Sequence, residues 1–310
     1  MKVLFIFLDG IGLGENNPET NPLARAKMPN LNALLDGRSL LKDAAPFHGE
    51  HASLLAIDPA VGVDGLPQSA TGQAMLLTGK NIPAEIGYHY GPKPNPEVAA
   101  HLVDTIFSQC VNAGKKAALL NAYPPRYFDG IDSGKRLYSS IPLAVTNAGL
   151  DLFKVEDFIA GRALSADFTG NGWRTMLGFP DAPVMDSREA GRKLAALAME
   201  YDFSFFEYWA SDYAGHKQQM ETAVGLMETF DGVLGGLVEA MKEERGKREE
   251  LLVLVTSDHG NMEDLSTRKH TDAHVPALAI GEKSAREEFT RGMTDLTHVA
   301  PAIWRMVAGV

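Results

Sequence analysis

Four of the nine histidines lie between residues 216 and 274, and each stands close to an aspartate. Asp212-x-x-x-His216 sets an imidazole four residues after a carboxylate. Asp258-His259 is an adjacent pair, and His270-Thr-Asp-Ala-His274 follows eleven residues later. Carboxylate oxygen and imidazole nitrogen together suit Zn, Mn or a similar divalent ion. Taken singly, each group has an ordinary explanation. Asp212 and His216 could be a helix-terminal ion pair, Asp258 to Asn261 a polar turn, and His270 and His274 exposed loop residues. It is the conjunction of spacing, order and strand-end location that points to metal binding.

A second chemical element is the stretch Leu66 to Gly79, LPQSATGQAMLLTG. Ser69, Thr71 and Gly72 stand just before an apolar helical run. Hydroxyls at a helix start are commonly caps. The same position presents free backbone N–H groups and a positive dipole to an anion such as phosphate. A hydroxyl there becomes a nucleophile if a metal ion lowers its pKa.

The elements that would position these groups can be read from short apolar runs. Residues 2–8 (KVLFIFL) are rich in Val, Ile and Phe and stop at Asp9-Gly10, as a buried parallel strand does. Residues 116–122 end at Tyr123-Pro124-Pro125, residues 203–209 at Ala210-Ser211-Asp212, and residues 251–256 at Ser257-Asp258-His259-Gly260. Helical patterns are predicted from residue 73 to 78, 96 to 113, 187 to 200 and 221 to 245. Alternating strands and helices imply a mostly parallel sheet with helices on both faces. Chemistry in such sheets gathers beyond the carboxyl ends of the strands, which selects Asp9, Tyr123, Asp212, Asp258 and His259. Residues 124–186 lack sustained periodicity and read as an irregular insertion or small cap on a single core domain spanning residues 1–310. The mixed-sign run 242–250 reads as a solvated helix end and turn.

Bulk properties narrow the function classes. A formal charge of −11 argues against a nucleic-acid binder, which needs a basic face, and gives no help at an anionic membrane. Cys110 is the only cysteine, so no intramolecular disulfide forms. The six apolar residues Val3 to Leu8 fall short of a secretory leader, and no run approaches a membrane span. A cytoplasmic, soluble protein is the expectation.

Several of these motifs together resemble the alkaline phosphatase superfamily, in the branch holding cofactor-independent phosphoglycerate mutase and phosphopentomutase. FLDGIGLG resembles its first metal-ligand strand, and Met28 to Leu34 (MPNLNAL) its "TPNLDxL" segment. SATGQ with LLTG downstream resembles the nucleophile motif. DYAGH, TSDHGNMED and HTDAHVP resemble the three later metal motifs in the family's order, and Thr294 to Pro301 the start of its C-terminal helix.

The resemblance implies an alkaline-phosphatase-like three-layer α/β sandwich and two divalent ions, Zn or Mn with Mg possible. It implies Ser69 as nucleophile, with Thr71 as competitor. One ion would sit among Asp9, Ser69, Asp258 and His259, the other among Asp212, His216 and His270. His274 falls where the family has no ligand. The implied substrate is a small phosphate ester, for which Thr71, His89, Tyr123 and Arg126 are candidate contacts. Arg126, Arg136, Arg162 and Arg174 also read as ordinary surface residues.

A mutase must retain its dephosphorylated intermediate and therefore exclude water. The mutases carry a substantial extra domain for that, and residues 124–186 are short by comparison. The sequence thus favours a phosphatase or phosphodiesterase working through phosphoserine, with a phosphomutase as the alternative. A metal-binding protein without turnover is a third reading, against which the complete ligand and nucleophile set counts. Oligomeric state is not legible.

Overall fold

The computed structural model describes residues 1–244 and 250–309. The turn expected within 242–250 therefore falls largely outside the described residues. Among these residues one sheet is built from β1 (Lys2–Leu8), β2 (Phe47–His48), β3 (Ala52–Ile57), β4 (Ala117–Leu119), β5 (Phe203–Tyr208), β6 (Leu251–Thr256) and β7 (Val275–Ile280). Its order is β2-β3-β7-β6-β1-β5-β4. The four strands read from apolar runs, β4, β5, β1 and β6, pair in parallel as expected. β7 runs antiparallel to both β6 and β3, so the sheet is mixed. β7 was hidden in the sequence by Pro276, a residue that argues against a strand inside a sheet.

Side-chain parity divides the molecule into three layers. Leu4, Ile6 and Leu8 of β1 face one core, and Val3, Phe5 and Phe7 face the other. β6 divides in the same way, Leu251, Val253 and Val255 against Leu252 and Leu254. This is the period-2 geometry of a strand buried on both faces. The first core is closed by the helices Ser187–Ala198 and Met220–Glu244, the second by Ser69–Thr78, Ile106–Asn112 and Val299–Ala308.

Two local differences from the sequence reading have clear causes. The helix expected from 96 to 113 is two, Pro96–His101 and Ile106–Asn112. The second starts afresh at Thr105, whose backbone N–H donates to Ser108 Oγ at 2.8 Å. Residues 124–186 contain the helices Pro125–Asp132, Ser140–Asn147, Val155–Ile159 and Asn171–Thr175. These have five to eight residues each, too few turns to print a periodic pattern. Ile141, Ala144 and Val145 are buried in the second core, while Phe168 stacks on Phe206 at 4.5 Å in the first. Val155, Phe158 and Trp173 belong to a small cluster of their own.

The MPNLNAL segment is explained by a cap supplied from elsewhere. Met28, at the start of the helix Pro29–Leu34, offers no side-chain acceptor. Buried Asp231 of the long helix accepts from the Leu31 N–H at 2.7 Å, the Asn30 N–H at 3.2 Å and Asn30 Nδ2 at 2.8 Å. One carboxylate thereby satisfies the orphan amides that the helix start leaves open.

Candidate metal centre

Strand parity aims the acids. Asp9 and Asp258 follow β1 and β6 with the same parity as Phe7 and Leu254, toward the layer that contains the Ser69–Thr78 helix. All ten residues of that helix are buried. Its Gly72 lies against Asp258, where an added Cβ would stand 2.8 Å from the Asp258 Cβ and 2.9 Å from its carbonyl oxygen. Gly72 thus lets the helix approach the β6 end closely. Gln68, the N-cap residue, makes no side-chain capping bond, so the helix start keeps its positive end turned to the site.

Ser69 and Thr71 have different surroundings. Ser69 Oγ lies 3.0 Å from His259 Nε2. Thr71 Oγ1 donates to the carbonyls of Gln68 and Tyr90, at 3.1 and 3.3 Å, and accepts from the Tyr90 N–H. Thr71 therefore ties down the loop before the helix, and Ser69 faces the acids and imidazoles.

Two ligand clusters meet in front of Ser69. In the first, His259 Nε2 stands 3.6 Å from Asp9 Oδ1 and 3.5 Å from Asp258 Oδ2. In the second, Asp212 Oδ2 is 3.2 Å from His216 Nε2, the two Nε2 atoms of His216 and His270 are 3.2 Å apart, and His270 Nε2 is 3.7 Å from Asp212 Oδ1. His259 and His270 stack with ring centroids 3.7 Å apart, so the clusters adjoin. The ligand atoms of Asp9, Asp258 and His259, and those of Asp212, His259 and His270, each lie within 4.8 Å of one another.

The chemistry of these groups fits cations. His216 Nδ1 lies 2.7 Å from the Arg268 carbonyl and His270 Nδ1 2.8 Å from the Pro67 carbonyl. A carbonyl only accepts, so each Nδ1 carries the hydrogen, and a neutral ring then points a bare Nε2 lone pair into the cluster. Two such lone pairs beside the Asp212 carboxylate repel unless a cation lies between them. This carbonyl support behind each imidazole is the arrangement that orients metal-binding histidines. Buried Asp9 Oδ1 has no hydrogen-bond partner among the described residues. Burial, with Asp258 and Asp212 adding repulsion, raises the Asp9 carboxyl well above its ordinary range. Burial and the Asp212 charge do the same to Asp258. Burial also acts on Asp212, but His216, His259 and Asn261 outweigh it and hold that carboxyl at about 2. Burial, with His270 alongside, pushes His259 down to about 3. Without a metal the pocket thus favours protonated Asp9 and Asp258, ionised Asp212 and neutral His259. A divalent cation would take the place of those carboxyl protons.

The weaker candidates divide. Tyr123 Oη donates to Glu207 Oε2 at 3.3 Å, beside the β5 end. His89 Nε2 lies 3.2 Å from the Val63 carbonyl, and Arg126 is exposed on the first turn of the Pro125–Asp132 helix. Neither makes a recorded contact with the two clusters. His274 is exposed, and its carbonyl accepts from the Leu13 N–H at 2.8 Å.

Sequence reasoning missed several supporting residues. Asn261 Nδ2 donates to Asp212 Oδ1 at 2.6 Å, and Gln73 Nε2 to Asp258 Oδ2 at 3.4 Å. Glu207 is buried below Asp9, and burial pushes its carboxyl up to about 7 against the opposing Tyr123 hydrogen bond. Asn261 lies inside the quoted TSDHGNMED motif. Gln73 likewise lies inside the quoted SATGQ, so a signal was present for both, whereas Glu207 looks like an ordinary strand residue. A groove of about 1130 Å³ lined by His48, Arg192 and Arg286 opens at the opposite, amino end of the strands, so size alone does not locate the chemistry.

Comparison with known proteins agrees with this geometry. Residues 173–308 match the Metalloenzyme superfamily model, a span that holds Asp212, His216, Asp258, His259 and His270. The 2,3-bisphosphoglycerate-independent phosphoglycerate mutase of Thiobacillus denitrificans is 28% identical over 209 residues, 60% of this chain and 37% of that protein. The enzyme of the same name from Desulforudis audaxviator is 35% identical over 127 residues, 39% of this chain and 24% of that protein. Over these spans the chain is similar to the Metalloenzyme superfamily and to the named mutases. The chain is thus related to the cofactor-independent phosphoglycerate mutases. It spans well under half the length of the curated relatives it matches.

A similar fold is seen in solved structures. The PH0037 protein from Pyrococcus horikoshii aligns over 100% of this chain and 97% of its own, with TM-score 0.57 at 15% identity. Alkaline phosphatase from the Antarctic bacterium TAB5 aligns over 99% and 98%, with TM-score 0.56 at 14% identity. At such identity these two speak for the fold alone. No helix among the described residues is long and apolar enough to cross a membrane.

Proposed function

We propose that this chain is a two-metal phosphoryl-transfer enzyme of the phosphomutase type, with Ser69 as its nucleophile. The observation that carries the reading is the place of Ser69 Oγ. It stands on the first turn of a buried helix, 3.0 Å from His259 Nε2, where the two ligand clusters adjoin. The relatives named as phosphoglycerate mutases favour the mutase over the phosphatase or phosphodiesterase that the sequence reading placed first.

Asp9, Ser69, Asp258 and His259 would hold one divalent ion, and Asp212, His216 and His270 the other. The mixed oxygen and nitrogen donors suit Zn or Mn, and Mg in part. When bound, the two ions supply Lewis-acid charge that neutralises a phosphate ester and acidifies the serine hydroxyl.

The protein's own contributions follow from the geometry. The open start of the Ser69–Thr78 helix offers backbone N–H groups to the phosphate oxygens. Thr71 fixes that start against Tyr90. Ser69 loses its proton, the Oγ–P bond forms, and the ester P–O bond breaks with a proton taken up by the departing oxygen. The phosphoserine then passes its phosphoryl group to a second hydroxyl of the same substrate. Tyr123, anchored on Glu207, is a candidate contact for that substrate.

One observation favours hydrolysis as the second reading. The His216 side chain is 40% exposed, so water has a route to that edge of the centre. Incubation with Mn²⁺ and either phosphoglycerate or a pentose phosphate, followed by phosphorus NMR, separates the two. A rearranged ester without inorganic phosphate is expected. Inorganic phosphate alone would mean a hydrolase, and a chromogenic monoester compared with a diester would then sort phosphatase from phosphodiesterase. No conversion with Mn²⁺, Zn²⁺ or Mg²⁺ would contradict the enzyme reading for these substrates.

A further inference from the structure

We infer that Glu263 is a positioning residue that locks three separate ligand-bearing loops into one metal centre. This rests on the two-metal reading above. Glu263 Oε2 accepts from the Gly12 backbone N–H at 2.9 Å and from the Asn261 N–H at 2.8 Å. Its Oε1 accepts from the Thr271 hydroxyl. Gly12 lies three residues after Asp9, Asn261 two residues after His259, and Thr271 directly after His270. One carboxylate thus joins the loop after β1, the loop after β6 and the loop before β7.

The surroundings are shaped for this carboxylate. Glu263 is 4% exposed, so its bonds do not compete with bulk water. An added Cβ on Gly12 would stand 2.5 Å from Glu263 Cδ, and one on Gly260 would overlap Oε1. Two glycines therefore admit the side chain where any larger residue would displace it. Other ties join these loops two at a time: Met262 N–H to the Gly10 carbonyl at 2.9 Å, Ile11 N–H to Ser257 Oγ at 2.9 Å, Thr271 N–H to the Gly260 carbonyl at 3.0 Å and Leu13 N–H to the His274 carbonyl at 2.8 Å. Glu263 is the side chain common to all three loops. It does not belong to either ligand cluster, so its effect passes through the geometry of Asp9, His259 and His270.

Glutamine can replace this function and methionine cannot. The carbonyl oxygen of Gln can accept from both amides while its NH₂ donates to the Thr271 oxygen. Met keeps the length and leaves two buried amides without an acceptor. The experiment is calorimetric titration of the chelated full chain, and of its Glu263→Met and Glu263→Gln variants, with Mn²⁺. Melting of each metal-free protein is measured alongside. The parent should bind two ions. Glu263→Met should bind both about 10- to 100-fold more weakly, the cost typical of losing a supporting hydrogen bond behind a metal ligand. Glu263→Gln should return most of that affinity.

Parental affinity in a folded Glu263→Met variant would overturn the inference. So would a Gln variant as weak as the Met variant, because charge and not hydrogen bonding would then be what Glu263 supplies. If Glu263→Met does not fold, Thr271→Val removes one of the three bonds and should weaken the ion held by His270 more than the other. Unchanged binding of both ions there would also overturn it. A parent that fails to bind two ions would instead sink the two-metal reading itself.

Discussion

At the scale of single residues, the account separates Ser69 from Thr71 by what their hydroxyls touch. Ser69→Ala should lower turnover by roughly 1000-fold or more, as loss of a nucleophile does, while two-ion binding survives through the remaining six ligands. Thr71→Ala should keep the phosphoserine and cost stability, about 1–2 kcal/mol for hydrogen bonds lost in a buried turn. Denaturant unfolding beside a turnover assay distinguishes the two outcomes. Glu207 gives a pH prediction with a definite sign. Its carboxyl is raised to about 7 in the folded protein, so the folded state holds its proton more tightly than the unfolded chain. That contribution to stability is complete below the ordinary glutamate range and is lost as pH rises through about 7. Metal-free protein should therefore lose stability across that interval, and Glu207→Gln should flatten the profile there. An unchanged slope in the Gln variant would mean another group titrates.

The proposed ligands were legible at this scale because Asp and His recur together, in Asp212-x-x-x-His216, Asp258-His259 and His270-Thr-Asp, and because Asp9 and Asp258 follow apolar strands. The roles of Glu263, Gln73 and Glu207 were not. Glu263 and Gln73 lie inside the quoted TSDHGNMED and SATGQ, but which groups they bond comes from three-dimensional packing, and nothing in its local spacing marks Glu207.

At the scale of elements, close approach decides the site. The Ser69–Thr78 helix reaches Asp258 only because residue 72 has no side chain. Gly72→Ala should push the helix start away from β6, weakening metal binding and turnover together while the secondary structure persists. Circular dichroism with a Mn²⁺ titration checks this. The pair of helices Ser187–Ala198 and Met220–Glu244 is a control far from the chemistry. Gly191 and Gly236 stand there against backbone carbonyls of the facing helix, Val233 and Arg188. Gly236→Ala should destabilise the fold by about 1–3 kcal/mol through overpacking and leave metal affinity of the folded protein unchanged.

Central strands were legible because burial on both faces makes them continuous apolar runs. β2 has two residues and β7 contains Pro276, and together with β3 they form the antiparallel side of the sheet, which an alternating strand and helix pattern does not announce. The helices within residues 124–186 were invisible for a related reason. Each has about two turns or fewer, and their buried apolar residues are divided between the second main core and a small third cluster.

At the scale of the whole molecule, a chain of formal charge −11 is an improbable host for a phosphate ester until its cations are counted. Two dications would bring the total to about −7 and, more to the point, make the pocket locally positive within a negative surface. Linkage then predicts how stability should respond. Asp9 and Asp258 bind protons tightly when no metal is present, so the metal-free fold favours low pH and loses that advantage as pH rises through their raised values. A divalent ion replaces those protons, so the rise in melting temperature on adding Mn²⁺ should be larger at pH 8 than at pH 5. Equal shifts at both values would contradict the proposed role of the two carboxyls.

The central claim is that Ser69 carries the phosphoryl group, and it is tested most directly by trapping that group. The metal-loaded protein would be incubated with phosphoglycerate or a pentose phosphate, quenched in acid, digested and mapped by mass spectrometry. Phosphate on Ser69, absent from chelated protein and from Ser69→Ala, is the predicted result. A peptide that stays unmodified while the same sample turns over substrate, or that carries its phosphate on Thr71, would contradict it.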